Sequence, residues 1–471
     1  MENKVNTETG IRRGFWNFID SIKGDKVVWI IVFMLVMISI LAVFSSTSLL
    51  VTADSDRLGI VREQILIAVL GLGIIWGLCR VKKIGIFRFF SQLGFIASVF
   101  VLLLLIMEID FGFIRAIKTN GVLRALEVFG QQIHVFEFVK VAMVLYLAWA
   151  VHTYKKDQAD IAEGRESKAF ALINSLSQHE KLTFLKKPFW KRMVYFYLPV
   201  MIVCVMIMPG SNSSAIFVGG ILIATLLVGG IPLKEIFAAA GVCIVVLLMI
   251  VGIHKASEGK MFKRVGTLLG RLEADYSPQS LEQYREGSAE FYDVLDKIKQ
   301  PFGAKVAVHE GGLLGKGSGN STQKYLVPVM YGDYMFSFII EEYGLWGAFL
   351  VIMLYVSLLA RGSMIARLCD NEYAKVAVGG LSLLITGQAF MHMFVNVDIG
   401  PMTGQTLPLI SHGSSAFLMF SIAFGVILSI SRMTRDKIKE EEEAAAPIYE
   451  REQEDEIQAT LQDIEQLERF D

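Results

Sequence analysis

The segment Gly311-Gly312-Leu313-Leu314-Gly315, continued through Gly332-Asp333-Tyr334 to Glu341-Glu342-Tyr343-Gly344, decides how the chain is read. A polar, glycine-rich loop runs into an apolar stretch, and a lone aspartate stands where the two meet. Packing among oily helices gives no reason to keep such a loop. Chemistry at the surface of a membrane does, because a reaction there needs an acid or base held at headgroup level.

Outward from this segment the chain is oily. Of 471 residues, 54% are hydrophobic and 19% are charged, and the mean hydropathy is +0.50. That balance excludes an ordinary soluble domain and specifies an all-α polytopic membrane protein. About 20 apolar residues cross a bilayer as a helix. Ten stretches qualify as candidates, near 27–46, 64–80, 87–107, 138–153, 193–208, 214–231, 235–253, 334–359, 375–397 and 414–432. The first, Val27–Phe44, is long for a signal peptide, lacks a cleavage pattern and reads as a retained span.

Ten spans put both termini on one side. The basic residues of the short connections then share a face: Arg12, Arg13, Lys23 and Lys26; Lys82, Lys83 and Arg88; Lys155, Lys156, Lys186, Lys187, Lys191 and Arg192; Arg361, Arg367, Arg432 and Arg435. The positive-inside rule makes that face cytoplasmic. The expected organisation is a cytoplasmic tail over 1–26, a membrane domain over 27–433 and an acidic cytoplasmic tail over 434–471. Within the membrane domain, 154–192 is an inner linker and 254–333 the one large outer loop. The C-terminal tail carries 14 Asp and Glu against 5 Lys and Arg and reads as solvated. Its Ile457, Leu461, Ile464 and Leu467 permit an amphipathic helix, marginal by itself. A net charge of −1 leaves no footprint for nucleic acid, and none is expected as a partner. Cys79, Cys204, Cys243 and Cys369 form no disulfide or zinc pattern.

Four groups of residues can carry chemistry. In the outer loop, Lys263, Arg264, Lys316 and Lys324 accompany glycines whose amides can approach a pyrophosphate, although the same composition suits a solvated loop. No Walker pattern is present. Asp333 directly precedes an apolar helix, so it reads either as an N-cap or as a general base. The two roles compete, since a carboxylate holding helix amides is a poorer base. Glu137 and Lys140 share a helix face, Glu341 and Glu342 sit in the eighth span, and Gln388 and His392 in the ninth. Ionisable groups at membrane depth are functional candidates by default, with a cavity-structuring ion pair as the plainer reading. Seven scattered histidines offer no metal-ligand spacing. Finally, Gly400 to Ser415 holds Pro401, Gly404, Pro408 and Ser411 between two apolar stretches. Non-helical backbone at that depth must be protein-buried or line a cavity, so a re-entrant loop between spans 9 and 10 is expected.

Taken in order, these blocks resemble the SEDS family of membrane proteins, the RodA/FtsW group. The resemblance rests on Asn120, Gly121 and Arg124; Glu137 and Lys140; Gln300 before Gly311-Gly312; Gly315 to Lys324 as a GNS-x-QK block; Gly332-Asp333-Tyr334 with Glu341-Glu342-Tyr343-Gly344; and Pro401, Gly404, Leu407, Pro408, Ser411 and Gly413. Thr406, Asn320-Ser321 and Gln323-Lys324 resemble the FtsW branch more than the RodA branch. Departures occur as well. The family's QPSE reads His134-Val135-Phe136-Glu137, and its QPD-x-GT reads Met208-Pro209-Gly210-Ser211-Asn212-Ser213, without the aspartate. His392, His412 and Ser414 replace an asparagine, a tyrosine and a glycine.

The resemblance implies a peptidoglycan glycosyltransferase that polymerises lipid II on the outer face of the cytoplasmic membrane, with Asp333 as the base. Gln300 and Arg124, beside the lysines and arginine of the outer loop, are candidate substrate contacts. Glu137, Lys140, Glu341, Glu342, His392, Pro401, Gly404, Pro408 and Ser411 would shape the cavity. It implies lipid II and an undecaprenyl-pyrophosphate-linked glycan as substrates. A class B penicillin-binding protein and other divisome proteins are the implied partners, within membrane lipid. A divalent cation, Mg or Mn, would accompany the pyrophosphate, though no ligand set is visible. A lipid II flippase and a non-catalytic divisome scaffold are the competing classes.

Overall fold

A computed structural model describes residues 23–47, 57–119, 122–165, 187–257, 288–327, 330–400 and 403–468, together with Phe170 and Glu286. Lys263, Arg264, Asn120, Gly121 and Pro401 lie outside the described residues. The chain is built from α1 (Lys26–Ser46), α2 (Arg57–Cys79), α3 (Ile84–Ile106), α4 (Val135–Ala162), α5 (Pro188–Ile207), α6 (Asn212–Val228), α7 (Leu233–Ala256), α8 (Ala289–Gly311), α9 (Met335–Leu368), α10 (Glu372–Asn396) and α11 (Ser414–Glu468). Among the described residues, eight of these helices are long and apolar enough to cross a membrane, and α6 is a shorter apolar helix. The protein is a multi-pass helical membrane protein.

Close approach of backbones holds the bundle, as expected where lipid is as apolar as leucine and small residues must supply the contact. A Cβ at Gly94 of α3 would lie 2.7 Å from the Ala142 carbonyl oxygen of α4. α11 packs along α2, α9 along α10, and α4 between α3 and α10. Ion pairs gather at one end. Arg361 bonds the Asp25 carboxylate, Lys191 pairs with buried Asp157 at 2.6 Å, and Lys155 reaches Glu372 at 2.8 Å. Three of the basic residues assigned to a single face, Lys155, Lys191 and Arg361, thus each pair with a carboxylate there.

Four features differ from the sequence expectation. First, the fold is not purely helical. Strands β1 (Ile114–Thr119), β2 (Val122–Val128) and β3 (Gln131–His134) form an antiparallel meander between α3 and α4. The register pairs Ile114 with Val128 and Ala125 with His134. Second, α4 runs on to Ala162 and α5 starts at Pro188, which shortens the inner linker from both ends. Third, the outer loop contains α8, and α11 continues as backbone helix through the acidic tail.

The fourth difference positions the site. The eighth span is two helices. Gly344 has φ 68° and ψ −168°, outside any helix. The Cβ position of Gly347 lies 3.4 Å from Ile339, eight residues back. A continuous helix would separate those positions by about 12 Å. Residues 335–343 and 345–368 therefore fold back on each other at Gly344. The short arm brings Asp333 into the bundle, and the long arm crosses it.

Candidate active site

Every amide at the start of a helix needs an acceptor. At α9 the acceptors come from α10. Asn396 Oδ1 accepts the Ser337 amide at 2.9 Å, and His392 Nε2 accepts the Phe336 amide at 3.4 Å. Because Nε2 accepts, the ring proton sits on Nδ1 and is donated to the Gln405 carbonyl at 2.7 Å. His392 is thus a satisfied interhelical histidine. Asn396 Nδ2 holds the Asp333 carbonyl oxygen at 3.0 Å. Tyr334 occupies the cap position without a side-chain cap bond. The capping reading of Asp333 is corrected: its backbone is fixed by Asn396, and its carboxylate is released from helix amides.

That carboxylate is half-buried and lines a cleft with His392, Thr403, Gly404 and Gln405. Burial pushes its pKa up to about 6, opposed by the charge of Arg124 from β2. A base poised near neutrality is suited to taking a proton from a hydroxyl. Gly404 shows how close the groups are: its Cβ position lies 3.8 Å from both Arg124 Nη1 and Asp333 Oδ2. Gly404 also has φ +62°, a conformation side chains rarely adopt. A bare backbone therefore leaves the acid and the guanidinium open to one another and to the cleft.

The loop carrying Gly404 enters the bundle. Tyr355 donates to the Pro408 carbonyl at 2.5 Å, Ser39 to the Ile410 carbonyl at 2.9 Å, and Gln388 to the Thr406 carbonyl at 3.0 Å. Ser39 lies seven residues before the end of α1, about 10 Å along its axis. Ser411 ties this loop to the aspartate loop through the Gly332 carbonyl at 2.8 Å. Behind the cleft, buried Lys140 bonds Glu137 at 2.6 Å, Gln388 at 2.5 Å and Gln405 at 3.0 Å, and Gln405 donates on to Ser214 at 2.9 Å. The expected Glu137–Lys140 pair is present and anchors the loop to α4 and α10.

The glycine-rich loop is clamped rather than free. Glu341 accepts from the Thr322 amide at 2.8 Å, Ser321 Oγ at 2.5 Å and Lys316 at 2.8 Å. Glu342 accepts from Ser45 at 2.6 Å and from the Gly319 amide at 3.0 Å. Lys324 is buried, 3.7 Å from Glu342 and 2.8 Å from the Gly319 carbonyl. Of the lysines expected at the phosphate, the two among the described residues are held by acids: Lys324 is enclosed beside Glu342, and Lys316 is bonded to Glu310, Thr322 and Glu341. Gln300 lies half-buried in α8, one residue before Pro301. Arg124 is the cation placed beside Asp333; its Nε also donates to the Gly210 carbonyl at 3.3 Å. Among the described residues no three His, Cys, Asp or Glu side chains converge on a metal site.

The two departures from the family pattern meet in space. A Cβ at Gly210 would lie 2.5 Å from Phe136 Cζ. Phe136 stands where the family has serine, and Gly210 where it has aspartate. The phenylalanine ring and the Leu123 carbonyl oxygen, 2.7 Å from the same Cβ position, together fill the space an aspartate would need.

A family model described as a cell cycle protein, FtsW/RodA/SpoVE, matches residues 25–436. The chain belongs to the FtsW/RodA/SpoVE family. The peptidoglycan glycosyltransferase MrdB of Escherichia coli K12 is 36% identical over 150 residues, which is 29% of this chain and 40% of that relative's length. FtsW of Enterococcus hirae is 26% identical over 431 residues, 89% of this chain and 96% of that protein. FtsW of Bacillus subtilis is 26% identical over 68% of this chain and 69% of its own. These long matches to FtsW agree with the residues that favour that branch. Among solved structures, one from a peptidoglycan synthase complex that coordinates polymerization and crosslinking aligns with TM-score 0.58 at 19% identity, covering 87% of this chain and 98% of that chain. A mutant of the rod shape determining protein RodA of Thermus thermophilus aligns with TM-score 0.51 at 17% identity, covering 87% and 97%. At such identities the likeness is one of fold.

Proposed function

We propose that this member of the FtsW/RodA/SpoVE family is a peptidoglycan glycosyltransferase that polymerises lipid II during cell division, with Asp333 as its general base. The observation that carries the reading is an uncapped, half-buried carboxylate with its pKa raised to about 6, lining a cleft and standing beside an arginine. The name of the MrdB relative supports the activity.

In this reading the 4-hydroxyl of a GlcNAc in one lipid-linked disaccharide gives its proton to Asp333. Its oxygen bonds the anomeric carbon of the growing chain, and the bond from that carbon to the lipid pyrophosphate breaks with the electron pair leaving on phosphate. Arg124 faces the charge that develops there. The clustered basic end of the bundle faces the cytoplasm and the Asp333 end faces outward, so both termini are cytoplasmic and the membrane is the cytoplasmic one. A divalent cation would travel with the substrate's pyrophosphate rather than sit in a resident protein site.

A class B penicillin-binding protein is the proposed crosslinking partner within the divisome, since this chain matches a transpeptidase only in the S-x-x-K spacing of Ser321-Thr322-Gln323-Lys324, with no S-D-N or K-T-G block, and Ser321 is held by Glu341. The solved synthase complex pairs polymerization with crosslinking. A flippase would need an open polar path, whereas Lys140 is buried with three side-chain partners. The test is fluorescent lipid II given to the purified protein in detergent, with and without its partner. Glycan chains are expected; no chains in detergent, with activity only in sealed vesicles, would assign a transporter instead.

A further inference from the structure

A second cavity, of about 410 Å³, lies between α3 and α4 at the basic end of the bundle. Two helix faces build it. Arg88, Phe89 and Gln92 line it from α3, and Trp149, His152 and Lys156 from α4. The spacings of three and four residues place each set on a single face. Lys156 is 16 residues from Lys140, about 24 Å along α4, so this cavity is separate from the Asp333 cleft. Its level is that of the Lys155–Glu372 pair, where the basic residues gather.

The lining is built for an anion. Arg88 Nη1 lies 2.7 Å from His152 Nε2. A guanidinium only donates, so the imidazole accepts and is neutral, and the remaining guanidinium N–H groups stay available to a ligand. Lys156 forms no ion pair among the described residues. Asp160 is the one carboxylate in the lining, and it turns partly to Arg165 at 3.7 Å. On the outer side, Phe89 and Phe90 are 61% and 66% exposed, an apolar wall continuous with the lipid-facing surface of α3.

We propose that this cavity holds the phosphate headgroup of an anionic phospholipid of the inner leaflet, with the acyl chains along Phe89 and Phe90. A basic pocket between membrane helices on the inner side is the arrangement that captures such headgroups. A free phosphate would gain nothing from the aromatic wall. The site needs no assumption about the reaction at Asp333.

The test uses the full chain in nanodiscs of phosphatidylcholine containing one part in five of phosphatidylglycerol, with retained lipids counted by native mass spectrometry. The wild-type protein is expected to retain phosphatidylglycerol in preference to phosphatidylcholine. The double variant Arg88→Gln/Lys156→Gln is expected to lose that preference about thirty-fold, two membrane-surface cations being removed. Asp160→Asn removes the opposing carboxylate and is expected to raise retention; it decides the matter if the double variant does not fold. Equal retention of the two lipids by the wild type, or no response to either variant, overturns the proposal. Displacement of phosphatidylglycerol by millimolar inorganic phosphate also overturns it, because the pocket would then be a soluble-phosphate site.

Discussion

Asn396 binds the backbone of Asp333, Nδ2 to carbonyl oxygen at 3.0 Å, while its Oδ1 takes the Ser337 amide at 2.9 Å. One side chain on α10 thus fixes the aspartate and performs the capping the aspartate would otherwise do. A capped carboxylate and a basic carboxylate are alternatives for the same oxygens, and Asn396 decides between them.

Replacing Asn396 by alanine should reopen that competition. The Ser337 amide and Asp333 carbonyl lose their partner, which costs about 1–3 kcal/mol for each that stays buried. Asp333 becomes the nearest carboxylate able to cap α9, and capping favours its charged form. Thermal unfolding should show the destabilisation. The acid limb of the polymerisation profile should move to lower pH while the maximal rate falls.

The pH dependence of the unaltered protein follows from burial. The Asp333 pKa is raised to about 6, so the basic form predominates above that pH and is lost below it. Polymerisation should therefore fall about ten-fold for each unit below pH 6 and level off above pH 7. Rates measured across pH 5 to 8 with substrate concentration held fixed check this.

The exchange of volume between positions 136 and 210 is also open to experiment. Gly210→Asp places a side chain where Phe136 stands 2.5 Å from the Cβ position, and overpacking should cost about 1–3 kcal/mol. Adding Phe136→Ser removes only the ring contact, since the Leu123 carbonyl oxygen lies 2.7 Å from the same Cβ position, and should restore part of that loss. The double variant unfolding at a higher temperature than Gly210→Asp alone is the expected signature.

Glu341 holds the glycine-rich loop through the Thr322 amide, Ser321 and Lys316. Glu341→Ala strands these donors and should cost about 3–5 kcal/mol, as for a broken buried pair. Limited proteolysis between 311 and 324 should become faster in the variant than in the wild type.

Much of this was readable before any coordinates. Apolar lengths announced a membrane bundle, and Asp333 stood out because it joins a polar loop to an oily helix. The fold-back at Gly344 was hidden, since 334–359 reads as one span and a single glycine is tolerated in many helices. The meander was signalled only by the Asn120-Gly121 pair, a hairpin dipeptide lost among longer helical patterns. Lys316 and Lys324 looked free because Glu341 and Glu342, the buried acids that hold them, lie about 20 residues downstream. Phe136 and Gly210 are 74 positions apart, and only three dimensions make them a pair.

The central claim is that the Asp333 carboxylate performs chemistry and not structure, and Asp333→Asn tests it most directly. The variant should insert and unfold at the wild-type temperature, because Asn396 and His392 supply the α9 cap. With lipid II and the crosslinking partner in detergent, it should make no glycan chains. Glycan polymerisation at the wild-type rate by the folded Asp333→Asn protein would contradict the account.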